Sequence, residues 1–359
     1  MKSYLTTVAV SASILLAACS GAPLVPYSTE GPPLTLVPAS NAGVVDRRGR
    51  FREVACAVFE ARGDSLPHNR DCEEAFTRVG SEAGATGQEV DLGASTFKLV
   101  GALVPGIGWE CFEDWLKYEN EFSRHMAQFG FEVYIIDVAG MSGSTFNARL
   151  IRDAIINNKE QLQGKKLVLI GYSKGAPDTL EAIVMYPEIR PYIAAVVSVA
   201  GAVGGSPLAY AADEVDLDLL KHIPGSNCTG GDGKAVESLL PAVRQAWLAA
   251  NPLPDDILYY SLVTFPDREH MSSVLNSSWK KLAKVDPRND SQLIIYDQVI
   301  PGSTLLAYLN ADHWAVAVPI SEQHPFIGRH FVNHNTYPRQ HMFEAVMRMI
   351  EEDLEALDR

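Results

Sequence analysis

From residue 97 onward the chain alternates short apolar runs with amphipathic stretches of helix length. The runs cover residues 98–104, 132–138, 166–171, 194–199, 257–265 and 303–309, and most close on a turn containing Gly or Pro. Runs that are apolar throughout, rather than at every second position, belong to strands covered on both faces, as in a parallel sheet. Segments such as 114–128 and 148–161 lie between the first four runs and are long enough for the crossover helices that parallel strands require. The pattern predicts an α/β fold, a mostly parallel, doubly wound sheet occupying residues 93–359. Residues 206–254 interrupt the rhythm, with helix-like pieces at 211–222 and 233–250 around Gly230-Gly231, and are expected to form a helical insertion above the sheet. Residues 338–357 predict a charged amphipathic helix that closes the domain.

Upstream the period changes. Phe51, Val54, Val58 and Phe59, then Ala75, Phe76 and Val79, recur at helical spacing, which predicts a small helical segment over residues 47–92 packed on the main domain. Residues 19–46 are rich in Pro, Gly, Ser and Thr without apolar periodicity, the composition of a flexible tether. Ahead of them Lys2 and the apolar stretch 8–16 follow the order of an export signal and are too short for an ordinary membrane-spanning helix, so residues 1–18 are expected to lie outside the fold. The signal ends in Leu16-Ala17-Ala18-Cys19, which resembles the lipobox of bacterial lipoproteins; a plain secretory signal cut near Ala18 is the alternative. The resemblance implies acylation of Cys19, a membrane anchor and a place in the cell envelope. Ser20, where inner-membrane lipoproteins carry Asp, implies the outer membrane, facing the periplasm or the cell surface.

An exported chain lives where disulfides persist. Cys56 and Cys72 flank the turn-rich Gly63-Asp64-Ser65-Leu66-Pro67, which predicts a bridge clamping a helical hairpin, worth roughly 3 kcal/mol for a loop of this length. Cys111 and Cys228 are then left to pair with each other or to stay as free buried thiols. Hydrophobic residues make up 47% and charged residues 21% of 359, the balance of a globular protein with a sizeable core. The net charge of −14 repels nucleic-acid phosphates and anionic headgroups, and no basic run offsets it locally, so nucleic acid is excluded as a partner. No His or Cys pair has zinc-site spacing with a second pair to complete it, and neither a metal nor an organic cofactor is expected.

The third apolar run leads directly into Gly171-Tyr172-Ser173-Lys174-Gly175 and then into the helix-like stretch 176–185. A serine at a sharp strand-to-helix turn has its hydroxyl exposed above the strand ends, and side chains at the flanking positions would collide, which accounts for Gly171 and Gly175. In this setting the motif resembles the nucleophile elbow of α/β-hydrolases, with Ser173 as nucleophile. That resemblance spans about residues 97–319 and implies two oxyanion donors: the amide of Lys174, and that of Ile107 in Pro105-Gly106-Ile107-Gly108 after the first run. Many lipases have His-Gly where this chain has Pro105-Gly106.

A hydroxyl needs a base to take its proton and a carboxylate to orient that base. The resemblance implies that both follow the serine, acid first. His313, in Asn310-Ala311-Asp312-His313-Trp314 just after the last run, falls where the family's catalytic histidine lies. His270 comes before the acid, and His330, His334 and His341 come too late, so exposure or structural hydrogen bonding is expected of these four. For the acid, Asp290 in Arg288-Asn289-Asp290-Ser291 resembles the Asn-Asp-Gly segment of bacterial lipases, with Ser291 in place of Gly; Asp267 and Asp297 remain open. The implied activity is cleavage of carboxylic esters, as in esterases and lipases, through an acyl-enzyme. Ester or lipid small molecules are the implied substrates, and residues 206–254 would cover the site as a lid or simply pack on the core. A catalytically silent envelope lipoprotein that binds or assembles other components is the alternative, since fold alone does not guarantee activity.

Overall fold

The computed structural model describes residues 43–109, 120–211 and 231–358. The export signal, Cys19 with most of the tether, the Cys111–Cys228 pairing and most of the helix expected at 211–222 lie outside the described residues.

Among the described residues seven strands form one sheet: β1 (Val45–Asp46), β2 (Leu99–Val104), β3 (Glu132–Ile135), β4 (Lys166–Tyr172), β5 (Ile193–Val199), β6 (Leu258–Thr264) and β7 (Thr304–Leu309). They run in the order β1-β7-β6-β5-β4-β2-β3, and every pairing is parallel. The helices are α1 (Arg48–Arg62), α2 (Asn120–Gln128), α3 (Ser144–Asn158), α4 (Gly175–Met185), α5 (Pro241–Ala250), α6 (Asn276–Leu282), α7 (Ile320–Gln323), α8 (Pro325–His330) and α9 (Arg339–Asp358). Two apolar layers enclose the sheet. Val168, Ile170, Ala195 and Val197 point toward α1, α2 and α9, while Leu167, Leu169 and Val196 point toward α3 and α4. Each buried aliphatic side chain contributes on the order of 1.5–3 kcal/mol, which is why the central strands read as unbroken apolar runs. This is the α/β-hydrolase architecture, all-parallel where the sequence pattern suggested mostly parallel.

The chain leaves β2 for β3 on one side and returns to β4 on the other. The order therefore reverses at β2, and the crevice outside the carboxyl ends of β2 and β4 is where ligands bind in open α/β sheets. Both Pro105–Gly108 and Ser173 lie there.

Three local expectations are corrected. Residues 45–46, assigned to the tether, form β1 on the edge beside β7. The segment after Cys72 is a single 3₁₀ turn (Cys72–Ala75) followed by extended chain, so Cys56–Cys72 clamps α1 to a turn and not to a second helix. Phe76 bridges Leu309 and the Thr77 amide donates to the Tyr308 carbonyl, so pairing with β7 wins over helical propensity. Residues 233–250 are not one helix: a 3₁₀ turn at Glu237–Leu239 precedes α5, which starts at Pro241. Proline lacks the amide an interior position needs and pushes Leu240 into extended backbone, so the helix begins there.

Candidate active site

At the end of β4 the backbone turns so tightly that Ser173 adopts φ +53°, a left-handed conformation that costs a residue with a Cβ roughly 1–2 kcal/mol. The neighbouring glycines permit it. A Cβ on Gly171 would sit 2.5 Å from the Ala176 Cα, and one on Gly175 would sit 2.0 Å from the Val104 carbonyl oxygen. The Ser173 amide donates to the Val199 carbonyl at the end of β5, and its own carbonyl accepts from Ala176 and Ala202. These bonds hold the turn while the side chain projects into the crevice.

His313 follows β7, and its Nε2 lies 2.9 Å from the Ser173 Oγ. On the other side of the ring, Nδ1 lies 2.8 Å from the Asp290 Oδ2. An ionised carboxylate only accepts, so Nδ1 donates to it and Nε2 of the neutral ring is left to accept the Ser173 hydroxyl proton. Tyr172 Oη donates to the His313 carbonyl at 2.8 Å, and the His313 amide donates to the Asp290 carbonyl at 3.1 Å. The imidazole is thus fixed from both its ring and its backbone.

Asp290 is fully buried and uses all of its acceptor capacity. Oδ1 accepts from the amides of Gln292 and Leu293, at 2.9 and 2.7 Å, and Oδ2 accepts from Thr264 Oγ1 as well as from His313. Gln298 Nε2 lies a further 3.4 Å from Oδ2. The other two acids are elsewhere: the exposed Asp267 accepts from Asn310 Nδ2 at 3.1 Å, and Asp297 is buried against Gly204.

Sequence reasoning missed Thr264, Gln298 and Tyr172, whose partners are remote in sequence, and also Asp312. Asp312 accepts from the amides of Ser272, Trp314 and Ala315 and so caps the turn that carries His313; burial pushes its carboxyl up. Of the remaining histidines, His341 packs on Phe59 with Nε2 3.2 Å from the Gly63 carbonyl, and His330 bonds the Phe326 carbonyl. His270 and His334 face each other at 6.2 Å, and burial lowers the pKa of His334.

Gly106 packs against Ser173, since a Cβ there would come within 2.9 Å of the Ser173 Cβ. The backbone of Ile107 is thereby carried past the serine, and Lys174, the other donor expected from sequence, opens α4 immediately after it. A helix N-terminus adds the positive end of the helix dipole. A cavity of about 220 Å³ lies beside Tyr172, the residue before Ser173; Pro105, Trp109, Val316 and Ala317 also line it, as do the ion-paired Glu322 and Arg339. The described part of the 206–254 segment packs on the core: Trp247 and Leu248 join the α3–α4 layer and Arg244 Nη1 donates to Glu181 at 2.6 Å. Among the described residues, one group of metal-ligand type, Asp267, Glu269 and His270 at the surface, has its ligand atoms within 4.8 Å.

No protein-family model matches the chain, and no curated protein does either. Among solved structures, a metagenomic carboxyl esterase is 38% identical, with a TM-score of 0.83 over 90% of this chain and 97% of that one. A Bacillus licheniformis lipase in its mature form is 20% identical (TM-score 0.51, covering 68% of this chain and 95% of that one). Lipase 1 from Pelosinus fermentans is 12% identical (TM-score 0.51, 70% and 98%). These two share the fold. The likeness to the first runs through sequence and structure alike over nearly the whole length of both chains, and the protein belongs to the α/β-hydrolase family of esterases and lipases.

Proposed function

We propose that the protein is a serine carboxylester hydrolase working through an acyl-enzyme on Ser173. The observation that carries this reading is the unbroken line of hydrogen bonds from the Ser173 Oγ through His313 to Asp290. As Oγ attacks the ester carbonyl carbon, His313 Nε2 takes its proton, and Asp290 stabilises the imidazolium that results. The carbonyl oxygen becomes an oxyanion stabilised by the amides of Lys174 and Ile107 and by the N-terminus of α4. Collapse breaks the bond to the alcohol, which leaves with the proton from His313. Water then gives a proton to His313 and attacks the acyl-enzyme, and the acid departs as Ser173 recovers its hydrogen.

The apolar cavity beside Tyr172 is assigned to the acyl chain. A 150 Å³ apolar cavity holds benzene, so about 220 Å³ takes roughly nine non-hydrogen atoms, a short to medium acyl group. The name carried by the metagenomic esterase supports ester substrates for this chain too. The lipobox-like Leu16–Cys19 supports acylation of Cys19 and attachment to the outer membrane; among the described residues no helix is long and apolar enough to cross a membrane.

Labelling with a fluorophosphonate, followed by peptide mass mapping, tests the reading. An adduct on Ser173, absent in Ser173→Ala, is expected. No adduct on the folded protein would overturn it and favour a silent binding role.

A further inference from the structure

The proposed oxyanion donors come from two separate loops, and a buried chain of polar groups joins them. Lys174 extends its side chain away from solvent, and its Nζ lies 2.8 Å from both carboxylate oxygens of Asp178, one turn along α4. Each side chain of this pair is 1% exposed. Asn147 on α3 donates from Nδ2 to Asp178 Oδ2 at 2.7 Å. The same amide group clasps the backbone of Ala139 from both sides: Nδ2 donates to its carbonyl and Oδ1 accepts from its N–H, each at 3.1 Å. The next residue, Gly140, accepts at its carbonyl from the Gly108 amide at 3.3 Å, and Gly108 closes the loop that holds Ile107. The path therefore runs from one donor, through three fully buried side chains, to the loop of the other.

Burying an ammonium and a carboxylate together does little for stability compared with apolar residues of the same volume. What such a network supplies is a fixed geometry, because every member is satisfied only in one arrangement. Oxyanion donors need that precision: they must meet the oxygen of the tetrahedral intermediate, and a misplacement of about 1 Å costs on the order of 100-fold in rate.

We infer that Asn147, with Asp178 and Lys174, is a positioning residue that holds the Lys174 and Ile107 amides in register across the crevice. The inference rests on the proposed serine mechanism, but it fails separately, because wild-type labelling at Ser173 decides the mechanism and the Asn147 variants decide the register. Asn147→Ala removes the clasp on Ala139 and with it the polar link between α4 and the 105–108 loop, leaving Ser173, His313 and Asp290 in contact.

The test is hydrolysis of p-nitrophenyl butyrate, expressed per site titrated to completion with fluorophosphonate. It is paired with inhibition by an alkyl trifluoromethyl ketone, whose serine adduct carries the oxyanion. For Asn147→Ala, kcat is expected to fall about 10- to 100-fold with KM within twofold, and the ketone inhibition constant to rise by the same factor. The shape of the pH–rate profile is expected to stay as in the wild type. Should Asn147→Ala not fold, Asn147→Ser, which keeps a shorter hydrogen-bonding group, is read in the same way and is expected to lie between it and the wild type. A per-site kcat within threefold of wild type, or a loss of kcat with unchanged ketone inhibition, would overturn the inference.

Discussion

Ser291 offers a test in which local strain and the site's architecture meet. It follows Asp290 in the acid loop, is fully buried, and has φ +88°, where a side chain is disfavoured by roughly 1 kcal/mol or more. Its Oγ has no hydrogen-bond partner among the described residues, and a buried hydroxyl in that state costs about 1–3 kcal/mol. Ser291→Gly removes both penalties. Against this stand the greater freedom of glycine in the unfolded chain, about 0.5–1 kcal/mol, and the small void left by two atoms. The balance favours the variant by about 1 kcal/mol, which for a chain of this size raises Tm by about 2 °C. Activity should stay within twofold, since the loop is held by the Ser291 amide donating to Asn289 Oδ1 at 3.0 Å and by the Gln292 and Leu293 amides donating to Asp290. Thermal unfolding followed by circular dichroism, with ester turnover measured on the same samples, reads both quantities. A Tm lowered by 2 °C or more would refute the claim that strain is stored at this position.

Further outcomes follow from the same geometry. Asp290→Asn presents an amide donor to His313 Nδ1, forces the proton onto Nε2, and should lower kcat on the order of 10³- to 10⁴-fold in steady-state assays, whereas Asp267→Asn should stay within twofold. Ala317→Phe, which fills the cavity beside Tyr172, should lower kcat/KM for p-nitrophenyl octanoate more than for the butyrate; equal losses would move the acyl chain elsewhere. At Glu344, burial pushes the pKa up, but hydrogen bonds from His125 and Arg62 and the charge of Arg348 outweigh it and hold the carboxyl at about 2. An unfolded glutamate titrates near 4.3, so this group stabilises the fold above that pH and loses its contribution as pH falls toward 2. Glu344→Gln should therefore lower Tm at pH 7, with the gap to wild type narrowing by pH 3.

Much of this architecture was legible in the order of residues. β2, β4, β5, β6 and β7 stand out because they are mostly buried, so burial and sequence carry the same information, and the half-buried edge strand β3 stands out through its apolar run. β1 does not: Val45–Asp46 has no apolar run of its own and is defined only by its pairing with Thr304 and Leu305. The expected helix after Cys72 failed for a related reason, since three apolar residues at helical spacing count for less than a bridge to Leu309. The break at Pro241 was readable and lost beneath the apolar stripe on either side. Within the site, the glycines framing Ser173 mark the elbow because a Cβ at either would clash, which is a local property. Asp290 is different, because an aspartate in a turn looks the same whether or not a histidine faces it; its contact with His313 spans 23 residues. The Lys174–Asp178 pair sits at helical spacing, but Asn147 joins it from 31 residues before Asp178, and no pattern along the chain announces that contact.

The central claim is that the Ser173 oxygen is the attacking nucleophile. Side-by-side turnover of p-nitrophenyl butyrate by the wild type and by Ser173→Ala, matched for folded protein by circular dichroism, addresses it most directly. The account predicts a fall in kcat on the order of 10⁴-fold or greater. Turnover within tenfold of wild type in the alanine variant would contradict it.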